Sequence, residues 1–557
     1  MSLRSILAIA CLSLLKIILT SPQKLSACCQ LIHDDALYVR LATRLASGIW
    51  LGGFGNKTLA KGPGYPLWIA LNYLLGMPLL LAQQLLYIGS GLVLIVALRR
   101  WVKKEVLLVG LYALFLFNPM TFADQSTRVL REGIYPALAV LVLATAAGMF
   151  IRYKDSLSRL TIWSAGLGLA LSWFWLTREE GVWILPGLLL LIAGTVYFLY
   201  RGYGPSREFL NRTLICFLPF IMLFFFINAV SLINKILYGS YTVVEFKSDP
   251  FLSAYGALAR VKHPHWHRYV PVPREVRNQI YQVSPAFREL KPYLEGELGK
   301  NWAVHAGNLV PPGELASGWF MWAFRDAVAL AGHYKSGAAA DAYYRRLAQE
   351  INTACEQGRL ACSAERKTMA PPFRWEYLGL TAATFPVALK NVITFHDFSA
   401  KPLKSTGDAP SLEFFRRITH TQVTPTDTAK DLTSGAPPLR ELVLLQHGDE
   451  LKIKILNNIG VFYQYIVPWL FYLAVALYII NGIRIIFRKH ALLFIITSSI
   501  MISFASRLLL LSYLDVTSFK CIDSTVYLGS AYPLALIFLA LSIIDTWKTG
   551  GSVKSEI

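Results

Sequence analysis

Apolar residues gather in long runs at both ends of the chain, and none runs through its middle. The first run is Ile6–Leu19, with Arg4 ahead of it. The others lie at about 77–98, 105–119, 133–151, 160–176, 181–200, 213–236, 462–483, 491–513 and 528–546. A helix crosses a bilayer with about 20 residues. The pattern predicts a polytopic α-helical membrane protein with about ten transmembrane helices. Leu25-Ser26-Ala27-Cys28 looks like a lipoprotein cleavage box, but Pro22, Gln23 and Lys24 separate it from the apolar run. An uncleaved first span is therefore expected.

The stretch 237–458 reads differently. It carries dispersed charge and the pairs Pro371-Pro372 and Pro437-Pro438, with no membrane-length run. It reads as a soluble, largely helical insert. Ala327–Ile351 has helical spacing that Gly332 and Gly337 interrupt, and Lys401–Pro438 reads as loop. Three parts follow: a membrane module over 1–236, whose first outer loop covers about 22–76, the insert over 237–458, and a second membrane module over 459–557.

Basic residues orient these parts. With the N-terminus inside, the inner loops hold Arg99-Arg100-Trp101-Val102-Lys103-Lys104, Arg152 to Arg159, Arg201 to Arg212 and Arg484 to Lys489. All are basic, as the positive-inside rule requires. The first loop, the Thr177–Glu180 turn, the insert and the Asp515–Thr525 loop then share the outer side. A multi-pass protein of the cytoplasmic (inner) membrane is expected, with its site facing the periplasm or exterior.

Composition agrees. Hydrophobic residues make up 55% of the 557 positions and mean hydropathy is +0.45, against about 45–50% apolar in soluble domains. The net charge is +20, but Lys247–Lys454 holds 26 basic and 20 acidic residues, so most of the excess lies in the membrane part. That placement serves topology, and nucleic acid is not an expected partner. The seven cysteines show no zinc spacing. Cys355 and Cys362 flank a short polar loop and can pair in an oxidising compartment, whereas a bridge between adjacent Cys28 and Cys29 would be strained. There is no GxxxxGK[ST] loop, dinucleotide fingerprint or GxSxG elbow.

Candidate chemistry sits in the outer loops. Asp34 and Asp35 follow the first span directly. Like charges this close resist joint ionisation, and apolar surroundings raise a carboxyl further. One could take a proton from an incoming hydroxyl while the other positions it or binds a cation. The same pair also reads as the start of the helix Ala36-Leu37-Tyr38-Val39, and both readings can hold. In Lys61-Gly62-Pro63-Gly64-Tyr65-Pro66 the glycines allow close backbone approach, and the lysine can meet a phosphate as a point charge. Alone, the segment is equally an ordinary entry into the next helix. Arg128, Arg131 and Glu132 lie where the second outer connection re-enters the membrane, and Arg178-Glu179-Glu180-Gly181 breaks an apolar stretch. These charges either line a polar cavity or make salt-bridged turns. Arg507 lies inside the ninth run and needs a phosphate or carboxylate partner. His263, His265 and His267 alternate in what reads as a surface loop.

At these residues the chain resembles the GT-C superfamily of polytopic glycosyltransferases. The likeness is to the bacterial branch related to protein O-mannosyltransferases and the lipid A aminoarabinose transferase. That family carries an acidic pair in its first outer loop with a tyrosine three residues after the second acid, here Asp34, Asp35 and Tyr38. Ala42, Leu45, Gly48 and Trp50 fit the run that follows, and Lys61 to Pro66 is similar to its Lys/His-x-Pro to Tyr-Pro segment. Thr177-Arg178-Glu179-Glu180-Gly181 is similar to a Thr-Arg-Pro-Glu-Gly turn, with Glu179 in place of proline. Arg507, Tyr532 and Pro533 fit a late Arg…Tyr…Pro pattern. The resemblance covers the first two hundred residues well and the last hundred loosely, and leaves the insert unaccounted for.

The resemblance implies a GT-C-like fold and transfer of a hexosyl or pentosyl group from a polyprenyl-phosphate-linked donor to an acceptor hydroxyl of a glycan, lipid or protein. Asp34 is the implied base, with Asp35 as second choice, and the anomeric carbon would invert. Lys61, Arg178 and Arg507 would bind the donor phosphate. Tyr38, Arg128, Glu132 and Glu180 would contact substrate or orient the cations, and Glu132 and Glu180 leave room for a divalent cation. A lipid or oligosaccharide transporter or flippase would predict broken, charged helices at the bilayer midplane. An oligosaccharide ligase or polymerase would place its arginines and a histidine in one late loop.

Overall fold

The computed structural model describes residues 1–29, 34–264, 267–305, 307–426, 440–487 and 492–550. Among them the chain is helical, with isolated β-bridges and no named strand. The first nine helices are α1 (Leu3–Thr20), α2 (Asp34–Ala46), α3 (Gly64–Leu74), α4 (Leu79–Leu98), α5 (Glu105–Leu116), α6 (Tyr135–Ile151), α7 (Leu157–Thr177), α8 (Leu185–Tyr203) and α9 (Arg207–Tyr238). Two small helices, α2 and α3, lie in the first loop, between α1 and α4.

Every apolar run of the sequence lies on a helix, but not every one of these helices is long enough to cross a membrane in one straight piece. Among the described residues, seven helices are long and apolar enough to cross a membrane, or eight if the bent pair Glu105–Leu116 and Pro119–Thr127 counts as one span. Tyr135–Ile151 and Ala531–Trp547 are apolar but short. The reason is local. Asn118-Pro119 ends α5, where the chain bends by 51°, and the charged Arg131–Gly133 turn delays the start of α6. The protein is a multi-pass helical membrane protein. Lipid-facing surface shows on α9, where Ile221, Phe224, Phe225 and Ile236 are all more than 60% exposed.

The loops sort into two groups at opposite ends of the bundle. At one end Arg100 pairs with Asp155, Arg152 donates to the carbonyls of Val96 and Ala97, and Arg212 donates to that of Tyr153. At the other end meet the first loop, the 118–133 connection, the Thr177–Glu180 turn, the insert and the 515–527 loop. This is the grouping the basic loops predicted.

Residues 244–362 form their own apolar core around Phe251, Phe287, Phe320, Phe324 and Tyr344. The helices Ser317–Leu330 and Gly337–Glu356 are broken between them at Gly332, whose φ is +87°. Cys355 and Cys362 are disulfide-bonded. The rest of the insert joins the membrane core: Val392, Phe395 and Ile418 belong to the same cluster as α4 and α6. Within Lys401–Pro438, read as loop, Ala409–Thr419 is a helix capped by Asp408; 427–439 lies outside the described residues. The last part of the insert runs straight into a membrane span, as the single helix Arg440–Phe487.

Leu25–Cys29 is stitched between distant segments. Leu25 N donates to Gln422 O (2.7 Å), Ser26 N to Thr127 O (3.1 Å) and Cys29 N to Thr406 O (3.0 Å). The bridge between Ser26 and Arg128 helps hold Arg128 where it meets Asp35.

Candidate functional site

Asp34 and Asp35 open α2 and diverge at once. Asp35 is fully buried and accepts from Arg128 Nη2 (2.7 Å), Arg128 Nε (3.3 Å) and Val129 N (3.2 Å). Burial raises its carboxyl against the pull of Arg128. Asp34 keeps about a third of its side-chain surface and meets Lys61 Nζ at 2.8 Å. Burial would raise its carboxyl too, but Lys61 and Arg131 outweigh burial and hold it below the ordinary carboxylate range. The expected mutual repulsion of the pair is therefore not what sets Asp34. Each acid has its own cation, so both can be ionised together.

Lys61 is placed by its neighbours. A Cβ on Gly62 would come within 2.2 Å of Leu176 O, and one on Gly64 within 2.8 Å of the Leu176 carbonyl carbon and Thr177 N. Only glycine lets this segment lie against the C-terminal end of α7. Gly62 N then donates to Glu179 Oε1 (3.3 Å). On the far side, Lys61 Nζ lies 5.3 Å from the ring centroid of Trp322, a residue of the insert.

The remaining charges form one network. Arg131 donates to Glu179 (2.6 Å), Arg178 pairs with both Glu132 and Glu180, and Arg507 Nη1 lies 3.7 Å from Glu180. Lys247 donates to the Glu179 carbonyl. Arg507 is completely buried, donates to Tyr527 O (2.8 Å) and faces the Trp183 ring at 5.5 Å. Arg178 sits 5.4 Å from the Tyr135 ring and 5.8 Å from the Tyr527 ring. Burial opposes the charge on Glu179 and Glu180, but Arg131 beside the first and Arg178 beside the second hold both carboxyls below their usual range. Tyr38 is buried edge-on to Tyr65, with ring centroids 5.1 Å apart.

The structure thus brings together Asp34, Lys61, Glu132, Arg178, Glu180 and Arg507, with Tyr38 beside them, and sets Asp35 and Arg128 apart as a closed pair. The sequence placed Arg131 and Glu179 among the charges of two turns that line a cavity or form salt bridges, without pairing the two or naming either as a site residue. Their pairing is the link between the Lys61 segment and the 131–133 turn. Lys247 and Trp322 carried no sequence signal, since both reach the site from the insert. Glu132 and Glu180 are turned to Arg178, and no group of three or more His, Cys, Asp or Glu among the described residues is arranged to hold a metal ion. His265 lies outside the described residues.

Fold and site together define a multi-pass helical membrane protein with a largely buried network of charges at one end of its bundle. No family model matches the chain, and no curated protein matches it. Among solved structures it is similar to ArnT from Cupriavidus metallidurans, bound to undecaprenyl phosphate in one structure and in the apo state in another. The sequences are 14% and 15% identical, 92% of this chain aligns with 77% of that chain, and the TM-score is 0.30 in both cases.

Proposed function

We propose that the protein is a membrane glycosyltransferase of GT-C type. In this reading it moves a sugar from a polyprenyl-phosphate donor to an acceptor hydroxyl on the extracytoplasmic side. The observation that carries the reading is the 2.8 Å contact between Asp34 and Lys61, inside a network where four carboxylates offset four cations. A donor phosphate entering this network competes for Lys61. As the lysine turns to the phosphate, Asp34 loses its counter-ion and becomes a stronger base. It takes the acceptor proton, the acceptor oxygen attacks the anomeric carbon with inversion, and the polyprenyl phosphate leaves with its charge held by Lys61, Arg178 and Arg507.

Partial exposure favours Asp34 over Asp35 as the base, because Asp35 is sealed under Arg128. The donor's prenyl chain costs about 0.8 kcal/mol per CH₂ to withdraw from lipid, so the reaction belongs at the membrane rim. The Cys355–Cys362 disulfide suits an oxidising, extracytoplasmic side for the insert. Separate Asp34→Asn and Asp35→Asn variants test the reading, with protein level and folding checked. Loss of sugar transfer from a polyprenyl-phosphate donor in a folded Asp34→Asn protein supports it; normal transfer in both variants rejects it.

A further inference from the structure

The helix Trp375–Ile393 belongs to the insert, yet its surface is not that of a helix bathed in water. From Tyr377 to Leu389 the chain carries no charged residue, and Glu376 and Lys390 bound the stretch. Tyr377, Thr381, Ala388 and Val392 are buried on one face at helical spacing. The opposite face is open and consists of Leu378, Gly379, Ala382, Ala383, Pro386 and Val387. Phe373 and Trp375 stand exposed at its N-terminal end. Another helix of the same insert shows what water demands: Gly337–Glu356 exposes Arg345, Arg346, Gln349 and Glu356.

The buried face tells where the helix stands. It packs on the helices Leu492–Thr517 and Arg440–Phe487, which carry membrane spans. Tyr377 meets Tyr513 edge-on, with ring centroids 6.4 Å apart. Asn391 Nδ2 donates to Ile522 O (3.0 Å), and Gln464 Nε2 donates to Phe395 O (3.1 Å) just past the helix end. Tyr513 is one turn from the end of its span, and Ile522 is in the loop that follows. Both ends of the helix therefore stay at the same end of the bundle. Gln464 shares a turn with Phe462 and Tyr465, which are exposed on a membrane span. The open face of the helix continues that apolar surface. Its uncharged stretch 377–389 covers about 20 Å, too little to cross an apolar core of about 30 Å.

We propose that the helix Trp375–Ile393 lies in the bilayer interface, on the side of the membrane that carries the insert. Leu378, Ala382 and Val387 turn to the acyl chains, and Trp375 sits at headgroup depth. The insert is then held to lipid by a contact of its own, besides the two spans that flank it. A lipid-facing helix here is independent of the transfer chemistry.

Nanodiscs holding the full chain test it. The lipid probe is a phosphatidylcholine with a photoactivatable diazirine in one acyl chain, and the water probe is a membrane-impermeant sulfonated maleimide. Irradiation of the unaltered chain is expected to crosslink acyl chains to peptides covering 377–389. Leu378→Cys, Ala382→Cys and Val387→Cys are compared with Lys300→Cys, whose parent side chain is 72% exposed on the insert. Labelling is read peptide by peptide, so native thiols do not interfere. It is expected to be at least about tenfold slower at the three positions than at 300, because a thiol in apolar surroundings ionises poorly. Faster labelling than that at any of the three overturns the proposal, since the face is then wet. Absence of acyl-chain crosslinks also overturns it, because protein, such as a second copy, would then cover the face. The crosslinking uses the unaltered chain, so it decides the matter where a cysteine variant folds poorly.

Discussion

Asp34 and Lys61 meet at 2.8 Å, although a whole helix and a glycine-rich turn separate them in the chain. The contact joins a carboxylate that is still partly open to water with an ammonium that an insert tryptophan covers. An acid in that setting has a reserve of basicity, released when its partner is drawn elsewhere.

Removing that acid is therefore the sharpest test of mechanism. Asp34→Asn is expected to lower turnover by roughly 10²–10⁴ with little change in thermal stability. Asp35→Asn is expected to act differently. It leaves Arg128 without its buried partner, so the expected signature is a lower unfolding temperature and less protein in the membrane. Turnover per folded molecule and thermal unfolding in detergent separate the two.

Gly62→Ala should fail for a backbone reason. The new methyl meets the Leu176 carbonyl oxygen, part of a helix end that cannot swing aside. Overpacking of this kind costs about 1–3 kcal/mol. The expected result is a lower unfolding temperature together with weakened Lys61-dependent activity. Gly53→Ala, where nothing lies within 4 Å, is the matched control.

The pH dependence has a definite sign. Asp34 and Glu179 are held below their ordinary values in the folded chain. Their contribution to stability is complete above the unfolded carboxylate values, near 3.9 and 4.3. It is lost as pH falls through the lower folded values. Unfolding temperature should therefore be insensitive to these groups from about pH 5 to 8 and drop in acid below about pH 4. Lys61→Met should move the acid limb of an activity profile upward, since Asp34 then loses its main cation.

Arg325 and Glu245 make a pair that the site does not use. Arg325 is completely buried, Glu245 is 4% exposed, and Tyr334 Oη donates to the same carboxylate at 2.5 Å. Arg325→Met alone should destabilise the insert by roughly 3–5 kcal/mol, while the double change with Glu245→Gln should recover part of that. Thermal unfolding of the two variants reads the difference.

Much of the fold was legible because lipid imposes one rule on every span: about twenty apolar residues and satisfied backbone. The charged loops reported which connections share a side. Length was less legible. Asn118-Pro119 and the 131–133 turn shorten two spans, and single breakers inside apolar runs do not announce how far they bend a chain. In the site, Asp34, Lys61 and Arg178 stood out because charge beside apolar segments is rare. Glu179 did not, because its role depends on Arg131 and Gly62, which only folding brings near. Trp322 and Lys247 were invisible for the same reason, since an insert's docking face has no periodic signature.

The bonds from Leu25 and Cys29 to Gln422 and Thr406 set a timetable for biogenesis. The ribosome makes the N-terminal side of these contacts nearly four hundred residues before the C-terminal side. At ~5–20 residues per second, that gap lasts roughly 20–80 s. Over this interval the newborn helix carrying Asp34 has no docking strand, and its charges wait at the membrane surface for a partner still being translated. A chain halted before residue 406 should insert its early spans yet remain catalytically mute.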